Sequence, residues 1–120
     1  MGRDKFKIMW QNDEIAEVLF TANDFKVTQN SNHVKKVFYT PEEEVTRDDV
    51  IDFLKYQIFD EHNARAPQIL AELGVNSYDL WKIAEKTRAI SCRNNYWIKF
   101  EGDEFDYDRD IKTRKFLLMG

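Results

Sequence analysis

The sequence predicts an α+β fold, and three observations carry that prediction. Residues 5–29 hold short runs in which apolar and polar side chains alternate, separated by turn-forming residues. Residues 46–88 change to the three-to-four-residue apolar spacing of helices, with capping residues at the breaks. The stretch "YWIKF" at 96–100 then returns to strand composition. The expected order is an antiparallel N-terminal sheet of about four strands, two to three helices, then a C-terminal strand or hairpin. At 120 residues, one domain spanning 1–120 is expected.

Each element has its own signal. "KFKIMW" and "IAEVLF" flank "QNDE" and predict a hairpin with strands near 5–10 and 15–20. In the first, Phe6, Ile8 and Trp10 alternate with Lys5, Lys7 and Met9, which makes one face clearly apolar. "DFKVTQ" and "HVKKVFY" flank "NSN" and predict a second hairpin. Thr46 with Asp49 three residues on approximates a capping box, ahead of a helix that places Val50, Ile51, Leu54 and Ile58 on one side. Pro67 and Gly74 bracket a short second helix. Asn76 or Ser77 is expected to cap a third, whose apolar stripe is Leu80, Ile83 and Ala84.

Composition narrows the function. Hydrophobic residues make up 42% and aromatics 14%, enough to build a core and to argue against wholesale disorder. Eighteen basic residues against 22 acidic ones give a net charge of −4. Such a balance supplies little drive toward a phosphate backbone, so no direct nucleic-acid partner is expected. "HVKKVF" and "KTRKF" each hold a few cations, which read more plainly as edge-strand and solubilising lysines. No apolar run is long enough to span a bilayer, and "MGRDKFKIMW" lacks the apolar stretch of a secretory signal. The expectation is therefore no membrane partner and a cytoplasmic location, the host cytoplasm for a phage-encoded chain.

Catalytic and metal-binding patterns are sparse. Cys92, His33 and His62 are the raw material for a Cys–His pair, but "ISCRN" has no nucleophile-elbow glycines, and a structural Cys92 is expected. A single cysteine excludes an internal disulfide and a cysteine-based zinc cage. Asp60, Glu61 and His62 cluster without a second histidine at helical spacing. Asp106, Asp108 and Asp110 match the first three calcium-loop positions, but Ile111 stands where glycine is required and Leu117 where the bidentate Glu belongs. No glycine-rich phosphate loop occurs. The expectation is a non-enzyme with no cofactor and no metal.

The acidic run is the sharper signal. Within 101–110, Glu101, Asp103, Glu104, Asp106, Asp108 and Asp110 give six negative charges against one positive charge, Arg109. Glu104, Asp106, Asp108 and Asp110 alternate with Phe105, Tyr107 and Arg109, so a strand would array carboxylates on one face at about 6.7 Å intervals. That row would imitate the charge of a nucleic-acid strand and steer association with a basic groove, with Trp97 and Tyr107 as anchors. The plainer reading is a solvated face with its aromatic side on the core. "PEEEVTRDD" at 41–49 forms a second acidic patch, in part explained by the dipole of the following helix.

Phe53-Leu54, Phe59, Arg65, Ile69-Leu70, Leu73-Gly74, Tyr78-Asp79, Lys86-Thr87 and "YWIKF" carry a resemblance, over residues 50–102, to a group of proteins. These are short proteins of low-GC Gram-positive bacteria and their phages, some labelled HipA-like. The chain has no kinase motifs, so no kinase activity comes with the resemblance. What it implies is a phage or mobile-element context, in which small acidic proteins often inhibit host machinery, as anti-CRISPR proteins do. Two expectations follow. One is an anti-CRISPR-like inhibitor whose acidic strip (Glu101, Asp103, Glu104, Asp106, Asp108 and Asp110) meets a host protein with a basic groove. The other is a regulatory or accessory module that binds a protein partner through an apolar groove or a sheet edge. Neither fixes an oligomeric state.

Overall fold

A computed structural model describes residues 5–30 and 32–112. Strands β1 (Lys5–Trp10), β2 (Asp13–Phe20) and β3 (Phe25–Gln29) form an antiparallel meander. Strand β4 (Tyr96–Phe100) pairs antiparallel with the free edge of β1, which gives the sheet order β3-β2-β1-β4. Between β3 and β4 lie a 3-10 turn at Glu42–Glu44 and helices α1 (Arg47–Gln57), α2 (Ala66–Leu73) and α3 (Leu80–Thr87). The α+β class and the four-stranded antiparallel sheet therefore hold.

The fourth strand differs from the one expected. Residues 33–39 form no strand, because the chain after Asn30 closes local turns. Asn30 Oδ1 accepts from the Asn32 amide, and His33 Nδ1 accepts from the Lys35 amide. Side chains that satisfy nearby backbone in this way compete with a ladder. The C-terminal "YWIKF" takes the vacant place beside β1, a pairing that strand periodicity does not encode.

The helices begin and end where short-range chemistry dictates. Thr46 Oγ1 accepts from the Asp49 amide at 3.2 Å while Asp49 Oδ2 accepts from the Thr46 amide at 2.9 Å, a reciprocal capping box. Helix α2 carries Pro67 in its first turn and stops at Gly74, whose φ of 73° suits a residue without a Cβ. Helix α3 is capped by Asp79, not by Asn76 or Ser77: its Oδ1 accepts from the Trp81 and Lys82 amides. Asp79, three residues after Asn76 and two after Ser77, takes the free amides instead.

Two apolar layers flank the sheet. On one face, Phe6, Ile8, Val18, Val27, Ile98 and Phe100 pack with Val50 and Leu54 of α1 and Ile83 and Ala84 of α3. On the other, Met9 and Trp97 join Ile90, Tyr107 and Ile111 in a second cluster. A β-bulge between Ile8 and Met9 shifts the register of β1 against β2 there, and both residues are buried. The segment after β4 thus folds back as a lid over the second face.

A candidate interaction surface

The tail departs from the extended row that alternation suggested. Gly102, at φ 88°, turns the chain after β4, and Tyr107–Ile111 forms a single π-helical turn. Trp97 is fully buried, its Nε1 donating to the Gln11 carbonyl at 2.7 Å. Tyr107 is buried as well, its hydroxyl 2.6 Å from Asn95 Oδ1 and its amide donating to Asn12 Oδ1. Both aromatics are buried in the core of the second face.

The six carboxylates divide by task. Asp103 receives both Nε and a terminal nitrogen of Arg88, at 2.8 and 3.1 Å, with the two side chains 9% and 12% exposed. It also accepts from the Phe100 amide, and the Arg88 guanidinium lies over the rings of Phe100 and Phe105. Asp106 caps the π-turn by accepting from the Arg109 amide, while its own amide donates to Asp110 Oδ2. Asp110 also holds the Arg109 guanidinium at 2.9 Å, and this hydrogen bond, with the attendant charge attraction, raises the Arg109 pKa. Glu101, Glu104 and Asp108 stand exposed. The continuous carboxylate strip is therefore broken: one member is sequestered against Arg88, and two shape a turn.

The outer edge of β4 is also occupied, and that of β3 at one point. On β4 the outward amides of Tyr96, Ile98 and Phe100 donate to Asn94 Oδ1, the Arg88 carbonyl and Asp103 Oδ2. On β3, the Gln29 amide donates to Glu42 Oε2 at 2.6 Å. Along β4, closing the edge this way removes the template for strand addition.

A different surface emerges where the loop after β3 crosses α1. Lys36–Thr40, Asp49, Asp52, Phe53, Tyr56, Gln57, Asn94 and Tyr96 enclose a cleft of about 550 Å³, within the usual size range of ligand sites. Its floor is fixed. Phe53 packs edge-on between Phe38 and Tyr96, with ring centroids 6.5 and 6.3 Å away. The Tyr96 hydroxyl donates to the Lys36 carbonyl, and buried Gln57 donates to the Ala89 and Tyr96 carbonyls while accepting from Asn94. Burial, then the nearness of Tyr39, raises the Tyr96 pKa.

The lips contrast with that floor. Tyr39 is 91% exposed and Tyr56 58%, and Val34, on the same loop as Tyr39, is 89% exposed. The Arg93 guanidinium sits 4.6 Å from the Tyr56 ring centre and donates to the Tyr56 carbonyl. Sequence reasoning missed this cleft, although a signal existed. Asp49, Asp52, Phe53 and Tyr56 fall at i, i+3, i+4 and i+7, so two aromatics lie among the acids of one α1 stripe, beside the one carrying Val50 and Leu54.

Comparison with known proteins returns no matching family model, no matching curated protein and no matching solved structure. No helix among the described residues is long and apolar enough to cross a membrane.

Proposed function

We propose that this chain is a non-enzymatic interaction module that binds a protein partner through the aromatic cleft between the 36–40 loop and α1. One observation carries the proposal: Tyr39 and Tyr56 stand in water at the mouth of a cleft whose floor is held by a hydrogen-bonded network. Large rings left exposed beside a preformed recess mark interaction sites, because their apolar area is gained at little conformational cost when covered. The anti-CRISPR-like strip needs a continuous row of outward carboxylates. With Asp103 drawn inward and Asp106 and Asp110 tied to the backbone, the cleft is the better-supported surface.

Parallel capture from a bacterial lysate separates the two surfaces. A Tyr39→Ala/Tyr56→Ala double variant should lose the partner that the wild type retains. A Glu101→Gln/Glu104→Gln/Asp108→Asn variant should keep it. Loss in the carboxylate variant with retention in the tyrosine variant would reverse the assignment.

A further inference from the structure

We infer that the cleft takes a basic peptide segment, with a lysine or arginine side chain of the partner lying against Tyr39 and Tyr56 and facing Asp49 and Asp52. This rests on the cleft being the binding surface and adds the chemistry of what fills it. Charge complementarity supplies the argument. Of the residues lining the cleft, Asp49 and Asp52 are acidic and Lys36 is basic. Asp52 is exposed, and among the described residues neither it nor Asp49 pairs with a lysine or arginine. Asp49 Oδ2 accepts from the Thr46 amide in the capping box, which fixes its direction without cancelling its charge.

Further acids adjoin the lining residues in sequence. Glu42, Glu43, Glu44 and Asp48 lie in the 3-10 turn and the start of α1, all of them exposed, with Glu42 accepting from the Gln29 amide. The cation among them, Arg47, is turned away: its guanidinium lies over Phe20 and Phe25, and it donates to the Thr21 carbonyl. A cleft that combines aromatic faces with carboxylates favours a cation twice, through the ring quadrupoles and through direct attraction. The Tyr56 ring already holds a cation in this way, Arg93, which with Lys36 offsets part of the negative charge. Asp52 and the Tyr39 ring therefore carry most of the attraction. Arginine suits such a site especially, since its planar guanidinium stacks on rings and pairs with carboxylates together.

Selection from a random peptide library displayed on phage, against the intact protein, tests the inference. Binders should be enriched in Lys or Arg beside an apolar residue. Their affinity should fall about tenfold with Asp52→Asn, weaken as salt rises, and vanish with Tyr39→Ala/Tyr56→Ala. Asp52 caps nothing, so its substitution leaves the helix intact. Binders that depend on both tyrosines but show no basic preference would overturn the cationic occupant and leave the cleft standing. A pool that does not enrich, or binders indifferent to the tyrosines, would overturn both.

Discussion

Single side chains close this fold at points where the backbone alone would fray. Arg88 and Ala89 both adopt left-handed backbone, at φ 56° and 53°, a costly conformation for residues with a Cβ. Arg88 is held by Asp103, and the Ala89 carbonyl by Gln57. Replacing Asp103 by Ala strands a mostly buried guanidinium and removes the acceptor of the Phe100 amide. The expected cost is about 3 kcal/mol in urea denaturation, with faster exchange of the Phe100 amide. Tyrosine ionisation gives a second prediction. Burial raises the Tyr78 pKa, helped by Asp60 and Glu61, and burial with Tyr39 raises that of Tyr96. A raised phenol contributes stability that is fully present below the unfolded value near 10 and is lost as pH climbs through the folded value. The free energy of unfolding should therefore fall above about pH 10, and less steeply in a Tyr78→Phe/Tyr96→Phe protein. That variant should also be about 1 kcal/mol less stable per lost hydroxyl at neutral pH, since Tyr78 donates to the Phe59 carbonyl and Tyr96 to that of Lys36.

At the scale of elements, the helices and the first hairpin were legible, and the pairings between distant segments were not. The second expected hairpin did not form, since 33–39 makes no strand. Thr46 with Asp49, and Pro67 with Gly74, are local signals with local consequences, and both hold. The "YWIKF" strand was readable as a strand, but its place beside β1 depends on which edge is free, which no local pattern states. The tail misled for a related reason. Phe105, Tyr107 and Ile111 pack inward together from a turn as well as alternate residues of a strand would, so period two did not discriminate between the two. The docking of this turn is itself testable. Ile111→Ala should cost about 2 to 4 kcal/mol by opening a cavity under the second face, and the buried Trp97 indole should report it as a shift in fluorescence. A change below about 0.5 kcal/mol would mean that the turn is not packed there.

For the molecule as a whole, acidic composition and binding surface come apart. Net charge of −4 drew attention to the densest run of acids, yet half of that run, Asp103, Asp106 and Asp110, is committed to holding the C-terminal lid. The surface proposed for a partner lies where a loop without regular structure crosses the outer stripe of α1, and its residues come from three separate stretches of chain. Hydrogen-exchange mass spectrometry of the protein bound to its captured partner tests this most directly. Protection confined to 36–40 and 49–57, with 101–110 exchanging as in the free chain, is the expected result. Protection across 101–110 and none at the tyrosines would contradict the account.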